Sequence, residues 1–379
     1  MGFCLTKCIQ KMKKLILSAT LLLSVAAFAQ KDELKVLKKI YAKDAISEKD
    51  LEAYKAANDA LQSLATEESD KVYAKFYNVM YPTVVLASKG AKATPQEQFS
   101  LYTLDFIKEY AAVIDETMAF ERKSGKKIYT DDLLEEKREF KQTLSTLAMS
   151  FNTAKKYKEA ASLFYALYTF DKANEGKSLQ NAAILSVQGE DYKVAVNYYE
   201  ELVASDYVTN GIVYFAFNKA TGAEEEIASK EDRDRFISLS LYEKPRETKV
   251  SDNKPEFLRI LALLYRQNND FENAKATFAK ARVLAPNDEE LKKGEFELYY
   301  NLGYAGLSEE EKLVAEINAS RADKKKFDAL MAKRKEMFMN IIPNFEKAFA
   351  LDPTHASTKS ILKMAYEVTG QAEKAKAMQ

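Results

Sequence analysis

Cysteine is nearly missing from this 379-residue chain, and where its two copies fall matters more than their number. Cys4 and Cys8 both precede an apolar run from Leu15 to Phe28, so everything after that run offers no thiol for a disulfide, a nucleophile or a metal. Glycine (11) and proline (7) are scarce while Ala, Lys, Glu and Leu are plentiful, and a chain so poor in turn formers is expected to be mostly helix. The single histidine, His355, follows Pro353 with no Cys or second His at metal-ligand spacing, which gives it a structural place. Phosphate-loop, nucleophile-elbow and dinucleotide motifs are missing too. Adjacent carboxylates such as Asp131 and Asp132 fall on different helix faces, and helix capping accounts for them. The expectation is a protein that is not an enzyme, with no catalytic residue, cofactor or metal.

No apolar run is long enough to span a bilayer. The run at 15–28 follows Lys11, Lys13 and Lys14 and ends in the small-x-small pattern Ala27-Phe28-Ala29, so residues 1–29 read as a signal peptide cleaved near Ala29/Gln30. Neither cysteine can be the lipid-modified residue that follows such a segment, and the mature chain is expected to be exported, periplasmic and without an integral membrane segment. Charge of one sign is lacking as well. Losing the four lysines of the leader leaves 53 basic against 57 acidic residues, a net of −4, which gives no general pull on nucleic acid or anionic lipid.

What is present is a helical pattern that recurs, clearest at residues 255–286. Leu258, Leu261, Ala262 and Tyr265 fall on one stripe of a 3.6-residue helix, and Asn268-Asn269-Asp270 break it. Phe271, Ala274, Phe278 and Ala281 form a second stripe that Pro286 ends. Two antiparallel helices are expected, meeting closely at Ala262 and Ala274, with Tyr265 and Phe278 filling the wedge beyond. This spacing resembles the tetratricopeptide repeat (TPR), with Leu258 where that family most often has Trp. Leu144, Leu147, Ala148 and Phe151 with Ala160, Phe164 and Leu167 repeat the offsets. So do Leu179, Ala182, Ala183 and Ser186 with Ala195, Tyr199 and Leu202, and Ala160 and Ala195 lie 35 residues apart.

The resemblance implies an all-α fold, an α-solenoid of stacked antiparallel helix pairs forming a TPR superhelix. Residues 30–129 are expected to be an N-terminal helical segment of degenerate repeats, in which Ser47 with Asp50 and Thr94 with Glu97 start helices. Pro82 is expected to interrupt that segment, and one helix to run from Pro95 to about Phe120. Residues 130–379, opened by the cap-like Thr130-Asp131-Asp132, are expected to be the solenoid, with insertions near 222–254 and 307–340 and a C-terminal capping hairpin. Tyr214 and Phe217 suggest the first helix of a further repeat. Tyr299 to Ala305 resembles another first helix, whose second helix returns only at Phe345, Ala348 and Pro353.

In the family the first helices line a concave groove that receives a peptide or helix from a partner. The positions that carry over are Met149 and Asn152, Ile184 and Val187, and Leu263 and Arg266, with Arg259 at the rim. The Lys and Asn that clamp a C-terminal carboxylate in one subclass have no counterpart, since Ser145, Gln180 and Arg259 precede Met149, Ile184 and Leu263. Two readings of the apolar positions stand: the floor of a groove with Arg259 and Arg266 at its rim, taking a segment of a partner protein or peptide or the chain's own insertion, or core buried by neighbouring repeats. The function this implies is an interaction scaffold or assembly factor in a bacterial periplasm. An alternative is a glycan- or nutrient-binding helical protein beside an outer-membrane transporter.

Overall fold

The computed structural model describes residues 28–378, and most of them are helical. The expected leader therefore lies outside the described residues except for its end, Phe28 and Ala29, where the first helix begins. The chain forms two compact units. One runs to Tyr198 and includes Ser205–Tyr207; the other takes Tyr199–Ala204 and everything from Val208 onward.

In the first unit, α1 (Phe28–Tyr41), α2 (Glu48–Leu64) and α3 (Glu68–Lys89) precede the short α4 (Pro95–Phe99) and the long α5 (Leu104–Ser124). Capping boxes start two of them: Ser47 Oγ accepts from Asp50 N and Thr94 Oγ1 from Glu97 N, while each acid reaches back to the cap backbone. Pro82 does not interrupt α3. It lies inside the helix, where the buried Met80, Thr83, Val84 and Leu86 hold the backbone helical on both sides of it. The single helix expected from Pro95 to Phe120 is broken, because α4 ends at Phe99, a 3₁₀ turn covers Ser100–Tyr102, and Thr103 caps α5 by accepting from Phe106 N. Aromatic rings fill the core here, among them Tyr41, Phe76, Tyr77 and Tyr129 in mutual contact.

Next come α6 (Thr130–Thr153), α7 (Tyr157–Phe170), α8 (Gly176–Gln188) and the first part of α9 (Tyr192–Ala204). Thr130, Asp131 and Asp132 do not cap α6. The N–H groups of its first residue and of the two before it are taken by the buried Glu121 of α5, which accepts from Ile128 N, Tyr129 N and Thr130 N at 2.9–3.1 Å, from Thr130 Oγ1 at 2.6 Å and from Tyr73 Oη at 3.2 Å. A carboxylate at a helix N-terminus satisfies orphan donors and complements the helix dipole together.

The second unit continues after α10 (Asp206–Asn210) into a segment that differs from expectation. Tyr214 and Phe217 lie on a strand, β1 (Ile212–Asn218), which is the middle of an antiparallel sheet of order β2-β1-β3 with β2 (Ala223–Ile227) and β3 (Tyr242–Lys249). The inserted segment thus begins at Ile212, ahead of Gly222, and α11 (Lys230–Ser238) lies between β2 and β3. Helical pairing then resumes with α12 (Lys254–Gln267) and α13 (Phe271–Leu284), as the stripes of residues 255–286 require. The helix α14 (Glu289–Ala305) finds its partner across the short α15 (Glu310–Ala319) in the 28-residue α16 (Lys324–Leu351). The Phe345 ring seats on Gly303, where an added Cβ would lie 2.7 Å from it. The pair α17 (Ala356–Thr369) and α18 (Ala372–Ala377) ends the described chain.

Candidate functional site

Each clear hairpin closes through the same backbone device. Lys155, Glu190, Asn269 and Gly370 have φ of 57°, 55°, 61° and 79°, and each stands five residues before the alanine of the second helix: Ala160, Ala195, Ala274 and Ala375. The residue after each donates its N–H back to a carbonyl of the first helix, Lys156 to Phe151, Asp191 to Ser186, Asp270 to Tyr265 and Gln371 to Tyr366, at 2.8–2.9 Å. This is a Schellman ending. It turns the chain through a fixed angle and delivers a fully buried alanine against the first helix in three of the four hairpins, Ala375 being almost so. The four hairpins therefore share one turn and one small-residue contact.

Counting back six residues from the left-handed position gives Met149, Ile184, Leu263 and Met364. All four are apolar. Met149 is 53% exposed, Ile184 36% and Met364 41%, while Leu263 is half-buried. Met149 and Ile184 thus reach solvent and lie outside the fully buried core. Three residues further on, Asn152, Val187 and Arg266 are half-buried.

Within the first unit, Met149 and Asn152 on α6 and Ile184 and Val187 on α8 hold equivalent places in successive pairs. In the second unit, Arg259, Leu263 and Arg266 share one face of α12. Both arginines are engaged: Arg259 makes a two-pronged bond at 2.7 Å to Glu256 of its own helix, and Arg266 lies 3.5 Å from Glu297 of α14. Arg259 is held slightly more basic than an ordinary guanidinium by the Glu256 bond.

Two residues of the same face were not read from the sequence. Met364 carries the same six-residue offset from Gly370, a signal present but hidden by the lysine-rich surroundings. Tyr304 stands five residues after Tyr299, as Leu263 does after Leu258. It ends a stacked ladder on α14, Phe296–Tyr300 at 5.7 Å and Tyr300–Tyr304 at 6.0 Å between centroids, and is 59% exposed. His355 packs edge-on against Phe296 and Tyr300 and its Nδ1 accepts from Thr358 N, capping α17. Its role is structural.

Neighbouring pairs of the second unit are tied by tyrosines four residues before the turn. The Tyr265 hydroxyl donates to Glu200 of α9, and the Tyr366 hydroxyl donates to Glu346 of α16 at 2.8 Å. Burial first, and then the carboxylate partner, raises both phenols above their ordinary range, so they stay protonated donors.

A shallow cleft of about 530 Å³ between α3 and α5 has Glu68 and Lys123 in its lining, paired at 3.0 Å. Among the described residues, no three His, Cys, Asp or Glu side chains are grouped to hold a metal, and no helix is long and apolar enough to cross a membrane.

No protein-family model matches the sequence, and no curated protein matches it. Solved structures do. YrrB, described as a TPR protein with an unusual peptide-binding site, is 14% identical over 62% of this chain and 80% of its own, with a TM-score of 0.28. Yeast Tom70 is 12% identical over 98% of this chain, which spans 64% of Tom70, with a TM-score of 0.23. A monomeric mutant of IFIT1 with Gppp-AAAA is 12% identical over 99% of this chain and 72% of its own, at a TM-score of 0.22. At such scores the likenesses carry no argument, and the fold rests on the hairpins themselves.

Proposed function

We propose that this chain is an exported, non-enzymatic interaction scaffold that works in a bacterial periplasm and binds a segment of a partner protein along the first helices of its hairpins. One observation carries the reading: the place six residues before the turn is apolar in every clear hairpin, and in three of the four it faces solvent. A monomeric chain gains nothing from exposing methionine and isoleucine at a repeated address, whereas a partner that covers them gains about 25 cal/mol for each Å² of apolar surface removed from water. Arg259 and Arg266, each near an acid, would frame Leu263 without adding a free charge.

A charge introduced at this address tests the reading. Met149→Glu and Met364→Glu should each leave thermal stability within about 0.5 kcal/mol of the parent, because both side chains already meet water. Crosslinking in the native compartment should then lose at least tenfold of the captured partner. Unfolding of either variant, or undiminished capture, would overturn the assignment. Export is tested separately by compartment fractionation and by the N-terminal mass of the mature protein, expected to begin at Gln30.

A further inference from the structure

Both cysteines, and Met1 and Met12 among the ten methionines, fall before residue 29, and the chain holds no tryptophan. Beyond the leader, methionine is therefore the side chain that a two-electron oxidant attacks first. Where its copies stand decides what such an attack would do. Met80 is fully buried in the core of the first unit. Met118 and Met337 are half-buried against core residues. Met149, Met331, Met339 and Met364 are exposed. Two of these occupy the address six residues before a left-handed turn, Met149 on α6 in the first unit and Met364 on α17 in the second. Met331 and Met339 lie on α16, outside that address.

Ile184 and Leu263 give the same address apolar surface and nothing to oxidise, so methionine brings it a property that they lack. The thioether is unbranched and polarizable, which suits a contact surface. Its sulfur also carries a lone pair that accepts an oxygen atom. That lone pair attacks one oxygen of hydrogen peroxide and the O–O bond breaks. The sulfur loses two electrons, one oxygen stays on it as the sulfoxide, and the other leaves with both protons as water. The product is polar, and an apolar partner seated on it would bury an S=O acceptor with no donor.

We propose that Met149 and Met364 are oxidation sites, at which one oxygen atom transferred from hydrogen peroxide to each sulfur releases the partner segment from the hairpin face. The assignment rests on the proposed use of that face as a partner site. Reduction by a dithiol reductase returns two electrons and two protons to the sulfoxide, takes its oxygen off as water and restores the apolar surface. Neither step disturbs the fold, because both side chains already meet water.

Peptide mass mapping of the mature protein after hydrogen peroxide treatment should show oxygen gained at Met149 and Met364 at least roughly tenfold faster than at Met80, with helical circular dichroism and melting temperature unchanged. Equal rates at Met80 and Met149, or a fold lost on oxidation, would overturn the proposal. The consequence is read on the crosslinked species that Met149→Glu loses. Protein that has been oxidised, freed of peroxide and added to an extract of its native cells should give roughly tenfold less of that species, and full yield again after methionine sulfoxide reductase with dithiothreitol. The double variant Met149→Leu/Met364→Leu should keep the yield and make it indifferent to peroxide. Met339→Leu, which removes a sulfur from a side chain 56% exposed against 53% for Met149, should leave the sensitivity in place. Sensitivity that survives in the double leucine variant, or vanishes in Met339→Leu, sinks the assignment. Should peroxide spare a species that Met149→Glu loses, the partner site stands and the oxidation sites fall; should Met149→Glu lose no species, both fall.

Discussion

At the scale of single residues, the hairpin turns are where the chain accepts cost. An L-residue in the left-handed region gives up roughly 1 kcal/mol relative to glycine, and Lys155, Glu190 and Asn269 all sit there while only Gly370 uses the residue that fits without strain. The turn persists because the buried alanine five positions on and the backbone bond across it leave no alternative path. Glu190→Gly should therefore stabilise the protein by about 0.5–1 kcal/mol, the released strain exceeding the entropy that glycine adds to the unfolded chain. A urea midpoint that falls in that variant would mean the Glu190 side chain makes a contact worth more than the strain. These turns were legible as polar breaks at Asn268-Asn269-Asp270, and their handedness was not, since Lys and Glu give no warning of positive φ.

At the scale of elements, the joints decide the architecture more than the helices do. The helix α6 would start with bare donors if Glu121, nine residues upstream of Thr130, did not collect three N–H groups and two hydroxyls. Glu121→Ala should cost on the order of 3–5 kcal/mol, because it leaves several buried donors without acceptors and removes the anion from a helix N-terminus. Glu121→Gln, which keeps one acceptor, should lose less. Equal melting temperatures for the alanine variant and the parent would show that water replaces the carboxylate at no cost. The sequence announced a cap at Thr130-Asp131-Asp132 because those residue types cap helices locally. The actual cap comes from another helix, and spacing along the chain carries no trace of such a partner. The break at Thr103 is different. Thr is an ordinary N-cap, but the apolar stripe through Phe99, Leu101 and Phe106 continues across it and masks the stop.

At the scale of the whole molecule, the helical pairs were readable because apolar period, second-helix alanine and turn agree in the clear hairpins, whereas the same register left Met149 and Ile184 open between an outward face and the core. The sheet in the second unit was not readable. Residues 212–217 are apolar on both faces, so no alternation distinguishes strand from buried helix. β2 is Ala-Glu-Glu-Glu-Ile, a helix former's composition, and β3 holds Pro245. Pairing with β1, and the salt link from Arg246 to Glu224 across it, make these segments strands where propensity would not. The sheet closes at its own base: Ile212 pairs with Lys249, and Val250 N donates to Gly211 O at 2.9 Å. Chain that enters and leaves at one strand spacing can be removed without moving its flanks. Replacing residues 213–248 with a two-residue Asn-Gly turn should therefore keep the helical circular dichroism of α12 to α18 and shift the melting temperature by only a few degrees. Loss of cooperative melting in that deletion would mean the sheet is a folding requirement of the second unit, and the pairs from α12 onward could then no longer be treated as a stack that supports itself.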